Sequence, residues 1–143
     1  MRPDLEFLHR LADVAARETL PRFRTPSSII NKETVGFDPV TEADRAAEAA
    51  IRALITERFP DHGILGEEHG AEGLDRDYVW VIDPIDGTRA FMSGTPTWGV
   101  LIALCDATGP LYGLIDQPHI GERFEGGFGR ARLTGPRGQL PLA

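Results

Sequence analysis

The order of two hydrophobic periods along this chain constrains its fold more than any other feature. Leu5, Leu8, Leu11, Ala12 and Ala15 recur at spacings of three and four, which predicts a helix over residues 4–24, with Pro21 close to its end. Residues 25–40 show no period and contain Pro26, Gly36 and Pro39, the composition of a loop. Thr41 is a good N-cap, and Asp44 three residues on resembles a capping box, so a second helix is expected from there. Ala47, Ile51, Leu54, Ile55 and Arg58 share one face of it, and Phe59-Pro60 closes it. Short strands are then expected at 63–66, 78–83, 98–105, 110–116 and roughly 123–128, with Asp106-Ala107-Thr108-Gly109 as a hairpin turn. Helices first and strands after reads as α+β, with two N-terminal helices packed on a largely antiparallel sheet. Residues 135–143 offer no helix to close the fold and read as a chain stopped in mid-structure.

The chain's 143 residues suit one domain with a core that needs no staples. Acidic residues outnumber basic ones, 22 to 15, for a formal charge of −7. That field has the wrong sign for nucleic acid or a membrane surface, so neither is expected as a partner. Acidity suits a protein that gathers carboxylates around divalent cations, and it serves solubility equally well. Cys105 is the one cysteine, so no intramolecular disulfide can form, and a reducing cytoplasm is expected. Met1-Arg2-Pro3-Asp4 lacks an apolar signal core. The longest apolar run, about Trp98 to Cys105, is far short of the ~20 residues a membrane helix needs.

The most informative string is Trp80-Val81-Ile82-Asp83-Pro84-Ile85-Asp86-Gly87-Thr88. An apolar strand there runs straight into two carboxylates. The strand would hold Asp83 rigidly, Pro84 would stiffen the turn, and Asp86 three residues later can face the same pocket. Gly87 lets the backbone approach a ligand closely. A helix beginning near Thr88 would aim the free amides of Gly87 and Thr88 at an anion. Two acids beside an amide cradle suit Mg²⁺ and phosphate together. An isolated Asp-Gly-Thr is better read as a polar turn; the full string after an apolar strand reverses that judgement.

Gly66-Glu67-Glu68-His69-Gly70 follows the strand at Ile64-Leu65 and would deliver Glu67 from a neighbouring strand end. Three acids from two strand ends can hold two cations about 4 Å apart. Alone, Glu67-Glu68 would be a solvated loop. In Phe37-Asp38-Pro39-Val40-Thr41-Glu42-Ala43-Asp44, helix capping by itself accounts for Thr41 and Asp44 and ranks first. The functional alternative makes Asp44 a proton acceptor for a hydroxyl, with Thr88 as its partner. Lys32 reads as a loop lysine. His9, His62, His69 and His119 show no ligand spacing, Trp80 and Trp98 read as core, and Cys105 reads as buried and inert.

Together, Asp38-Pro-Val-Thr-Glu-Ala-Asp44, Ile64-Leu-Gly-Glu-Glu68 and Trp80-Val-Ile-Asp-Pro-Ile-Asp-Gly-Thr88 with Phe91 resemble the inositol monophosphatase family. The resemblance runs from about residue 5 to the end. The details look closest to the bacterial histidinol-phosphate phosphatase branch. They are Gly36 through Ala46, Arg89-Ala90-Phe91-Met92-Ser93-Gly94, and Asp116-Gln117-Pro118 followed by Gly121-Glu122-Arg123-Phe124. The resemblance implies that residues 1–143 are the amino-terminal metal-binding domain of an α/β/α/β/α sandwich, with the carboxy-terminal domain absent.

The same resemblance implies a ligand set. Glu67, Asp83 and the backbone carbonyl of Ile85 would bind one Mg²⁺, and Asp83 and Asp86 a second. Glu67 would hold a third, looser ion through water, with Mn²⁺ as an alternative metal. Gly87 and Thr88 would contact the phosphate, beside Glu67, Ile85 and Asp86. Catalysis would fall to Asp44, Thr88 and Glu67, with Thr88, bonded to Asp44, helping to take a proton from a metal-activated water.

The implied reaction is Mg²⁺-dependent hydrolysis of a small phosphate monoester without a covalent intermediate. The best single substrate is histidinol phosphate, giving histidinol and phosphate in histidine biosynthesis; inositol monophosphate and a nucleotide 3′-phosphate are the alternatives. Dehalogenase-type phosphatases use Asp-x-Asp-Gly-Thr, but here Pro84 stands two before Asp86, so that chemistry lacks its nucleophile. Family members are considerably longer, and a Trp-Asp motif that completes their second metal site is absent here. Incomplete metal binding and little turnover by this chain alone are therefore expected. A non-catalytic metal-binding fragment is the alternative of another class. An unfinished sheet face favours association with another chain, and a homodimer is expected.

Overall fold

The structure is a computed structural model that describes residues 3–25, 29–31 and 39–142. The expectations for Lys32 and for residues 36–38 lie outside the described residues.

Helix α1 (Leu5–Thr19) starts at Asp4, whose carboxylate accepts from the Phe7 N–H at 3.0 Å. It buries Phe7, Leu8, Leu11, Ala12 and Ala15. The sequence predicted a helix to residue 24, but the α-helix stops at Thr19 and Leu20–Arg22 forms a 3₁₀ turn. Pro21 has no N–H to continue the i→i−4 ladder. Helix α2 (Glu42–Arg58) starts where the capping pattern predicted. The Thr41 side chain accepts from the Asp44 N–H, and the Asp44 side chain accepts from the Thr41 N–H. The expected loop at 25–40 contains a two-stranded antiparallel ribbon, β1 (Ile29–Asn31) with β2 (Pro39–Thr41). Strands of three residues are too short to carry a legible period.

The remaining strands form one eight-stranded sheet: β3 (Gly63–Gly66), β4 (Gly70–Glu72), β5 (Val79–Asp86), β6 (Gly99–Asp106), β7 (Gly109–Gln117), β8 (Glu122–Gly127), β9 (Arg130–Gly135) and β10 (Gly138–Pro141). Their order is β10-β9-β8-β7-β6-β5-β3-β4, antiparallel except where β3 meets β5. A third helix, α3 (Thr88–Ser93), separates β5 from β6. The expected α+β arrangement is present, extended by β4, β9 and β10, which the sequence did not reveal. In the turn between β6 and β7, the Asp106 carboxylate accepts from the Thr108 N–H at 2.8 Å.

The pleat sorts the sheet into two faces. Trp80, Ile82, Val100, Ile102, Leu104, Tyr112 and Leu114 face α1 and α2 and make the main core with them. Arg123 ties α1 to the sheet. It donates to Asp116 Oδ1 at 3.1 Å and to Asp13 Oδ1 at 2.9 Å. Its Nη1 also lies 3.1 Å from His9 Nδ1. A guanidinium only donates, so Nδ1 is the bare ring nitrogen and His9 Nε2 carries the hydrogen that meets Glu125 Oε2 at 2.6 Å. The opposite face is open: Leu65, Val81 and Ile115 are 41%, 38% and 49% exposed. Among the described residues no helix is long and apolar enough to cross a membrane.

Candidate metal centre

Parallel pairing of β3 with β5 brings two acids side by side. Leu65 lies opposite Val81 and Gly66 opposite Ile82. Leu65 and Val81 both point to the open face, and two residues further along each strand come Glu67 and Asp83. The pleat therefore puts both carboxylates on that same face. The Glu67 N–H donates to Ile82 O at 3.3 Å, which holds the end of β3 against β5.

Asp86 needs a different device. Strict alternation would send a residue three places after Asp83 to the other face. The ladder pairs Asp83 with Leu101 but Asp86 with Gly99, so β5 uses three residues where β6 uses two. This bulge returns Asp86 to the side of Asp83. Pro84 sits within it and has no N–H to give to the ladder. Ile85 anchors it, with a side chain buried among Phe23, Ala43, Phe91 and Trp98.

Charge crowding at Asp83 follows from this placement. Burial first, then the charges of Glu67, Asp86, Asp44 and Glu68, push its carboxyl up from 3.8 to about 6. Among the described residues no three His, Cys, Asp or Glu side chains are drawn closely enough together to hold one ion. The acids thus share a field without forming a closed coordination shell. The donor set is all oxygen, from Glu67, Asp83, Asp86 and the Ile85 carbonyl, and hard oxygen donors fit Mg²⁺ or Mn²⁺ rather than a softer metal.

Asp44 makes the contacts that each of the two alternatives requires. It is 1% exposed. Its Oδ2 accepts from the Thr41 N–H at 2.9 Å and the Thr41 hydroxyl at 2.5 Å, which is the cap. Its Oδ1 lies 3.0 Å from Thr88 Oγ1. Thr88 Oγ1 is also 3.2 Å from Ile85 O, but it has one hydrogen, and the charged oxygen is the stronger acceptor. Gly87, the N-cap of α3, has φ 88° and ψ 44°. A Cβ there would also lie 3.0 Å from Thr97 O, so only glycine suits the position.

One further acid was missed. Glu48 on α2 is fully buried, and its carboxylate binds the N–H groups of Glu68 and His69. Its signal was present in the sequence: a charged residue four after Asp44, inside the stripe that contains Ala47, Ile51 and Ile55. The other expectations fared variously. Trp80 and Trp98 are core, 0% and 2% exposed. His62 is a packing residue whose Nδ1 accepts from Trp80 Nε1 at 3.1 Å. Cys105 is half-buried rather than buried, because it shares the open face with Leu101 and Ala103; burial and then Asp106 push its thiol up.

The sequence profile of the inositol monophosphatase family matches residues 1–139. The chain is 44% identical over 128 residues to the chloroplastic bifunctional phosphatase IMPL2 of Arabidopsis thaliana, covering 87% of this chain and 36% of that one. It is 42% identical over 126 residues to the histidinol-phosphatase of Chlorobaculum parvum, covering 87% of this chain and 48% of that one. Among solved structures, the IMPase of Thermotoga maritima superposes with a TM-score of 0.83 at 32% identity, covering 92% of this chain and 51% of that one. The chain spans about half the length of such relatives, or less. A match that takes in the helical pair, the sheet and the acidic strand ends together makes this chain a member of the inositol monophosphatase family.

Proposed function

We propose that this chain carries the metal- and phosphate-binding half of a Mg²⁺-dependent phosphomonoesterase, with histidinol phosphate as its substrate. The observation that carries the reading is the crowding of Glu67, Asp86, Asp44 and Glu68 around Asp83, which raises the Asp83 carboxyl to about 6. Such crowding opposes folding and is expected where a cation is to be bound.

Glu67, Asp83 and the Ile85 carbonyl would hold one ion, Asp83 and Asp86 a second, and Glu67 a third through water. With the one Thr88 hydrogen committed to Asp44, the Ile85 carbonyl 3.2 Å from Thr88 Oγ1 keeps a lone pair for a cation. Bound Mg²⁺ would neutralise the phosphate and make a water more acidic. The chain's own groups do the rest. The amides of Gly87 and Thr88 orient the phosphate. Thr88, with its hydrogen on Asp44, turns an oxygen lone pair outward to the attacking water. The proton then passes through the Thr88 hydroxyl toward Asp44.

Histidinol phosphate is favoured by the 42% identity to a histidinol-phosphatase. The likeness to the Thermotoga IMPase supports inositol monophosphate as a second reading. Residues 1–143 act as one metal-binding domain, and they match about half of the length of the longer relatives.

The test is a Mn²⁺ and Mg²⁺ titration of the chain beside Asp83→Asn. Saturable binding that the substitution weakens at least about tenfold is expected for loss of a shared ligand. No binding, or equal binding, refutes the metal site. Phosphate release at saturating Mg²⁺, compared among histidinol phosphate, inositol monophosphate and a nucleotide 3′-phosphate, tests the substrate. Faster release from either of the latter two refutes the choice.

A further inference from the structure

Glu48 is a fully buried carboxylate whose hydrogen bonds lead to the strand end that carries Glu67. Its Oε1 accepts from the Glu68 N–H at 2.8 Å, and its Oε2 from the His69 N–H at 2.7 Å and from Arg52 Nε at 3.0 Å. Arg52, one turn further along α2, also donates to Gly70 O and lies 3.4 Å from Glu72 Oε1. One ion pair on α2 therefore grips both sides of the turn between β3 and β4. Gly66 admits this approach, since a Cβ there would fall 2.4 Å from Glu48 Oε2.

The turn needs such a grip because the ladder ends at Glu67. Its N–H is the last from this strand to reach Ile82 O, and the next two N–H groups turn away from β5 to Glu48. Glu67 is thus fixed from both sides: by β5 through its own amide, and by α2 through the two amides that follow. The same helix holds Thr88 through Asp44, one turn earlier. Two buried carboxylates at i and i+4 on one rigid helix therefore set two separate parts of the acidic site.

We propose that Glu48, clamped by Arg52, is a positioning residue that sets the direction of Glu67 and with it the divalent-cation affinity of the site. The proposal rests on the metal-site reading above. Glu48 touches no cation. It acts through the main chain, as groups behind a metal ligand do, and loss of such groups typically weakens binding about 10–100-fold.

The experiment is Mn²⁺ titration of the 143-residue chain, read by electron paramagnetic resonance of free Mn²⁺, with amide hydrogen exchange on the same samples. Glu48→Gln offers a carboxamide that cannot accept from three donors at once. It should weaken Mn²⁺ binding about 10–100-fold and speed exchange at the Glu68 and His69 amides, while the amides inside α2 keep their protection. Ile55→Val, on the same helix away from the turn, controls for stability and should bind Mn²⁺ like the wild type. Unchanged affinity in Glu48→Gln overturns the proposal, as does an equal loss in Ile55→Val. Asp83→Asn separates the two readings: if it too binds normally, the metal site itself is refuted. Should Glu48→Gln fail to melt cooperatively, Arg52→Lys keeps the charge but loses the fork to Gly70 and Glu72. A weakened affinity there supports the clamp, and an unchanged one overturns it.

Discussion

Replacing Asp83 by Asn should stabilise this protein in the absence of divalent cations, although most substitutions at half-buried positions destabilise. The Asp83 carboxyl is raised from 3.8 to about 6, chiefly by burial and then by Glu67. The gap corresponds to about 3 kcal/mol at most, and solvent screening at a half-buried site reduces it to about 1–2 kcal/mol. The sign follows from proton binding. The folded chain holds a proton on Asp83 more tightly than the unfolded chain does. Stability from this group is therefore complete below about pH 4, falls as pH rises through 4 to 6, and is lost above about pH 6. Asn carries no charge at any pH and escapes the loss. At neutral pH with chelator, its melting temperature should rise by about 3–6 °C. Below about pH 4 the difference should vanish.

Mg²⁺ should invert the order. A ligand at about 100 times its Kd stabilises by about 2.7 kcal/mol, a gain available to the wild type and largely lost to the variant. Thermal melts followed by circular dichroism, with chelator and with saturating Mg²⁺, supply both comparisons. An Asn variant that melts lower than the wild type with chelator at neutral pH would refute the charge crowding. Equal stabilisation of both chains by Mg²⁺ would remove Asp83 from the ligand set.

Divalent-cation affinity should fall about tenfold per pH unit below about 6, because a proton on Asp83 competes for the same oxygens. A Mn²⁺ affinity that stays flat from neutral pH down to about 5 would contradict this. Thr41→Ala should cost about 1–2 kcal/mol in urea unfolding, since it removes the cap and one of two donors to a buried Asp44 oxygen. A loss within about 0.5 kcal/mol would show that Asp44 is held by other means.

The legible parts of the fold were those governed by neighbours in sequence. Thr41 and Asp44 announced the start of α2, and both partners of the box lie within one turn. Strands β6 and β7 were readable as apolar runs of strand length on either side of the turn at Asp106-Ala107-Thr108-Gly109. Strand β4 was illegible because all three of its residues are exposed and no alternation exists to detect. Strand β9 alternates weakly, with Arg130 and Arg132 on it, and β10 is wholly exposed at the sheet edge. Leu20 continued the apolar pattern of α1, yet Pro21 converted the last turn to 3₁₀ geometry.

From its sequence alone this chain declares an α+β order, two N-terminal helices of which the second carries a capping box, and the acidic string from Asp83 to Thr88, because each depends on residues a few positions apart. Three things depended on tertiary structure. The face taken by Asp86 was decided by a bulge against β6, since pairing with Gly99 rather than spacing from Asp83 sets its side. The double use of Asp44 required Thr88, 44 residues away, to arrive at its second oxygen. The place of Glu48 inside the apolar stripe of α2 was visible in the sequence, but its partners were decided only when the turn after β3 folded back onto α2, because hydrogen bonds to main-chain amides leave no mark on the identity of the residues that donate them.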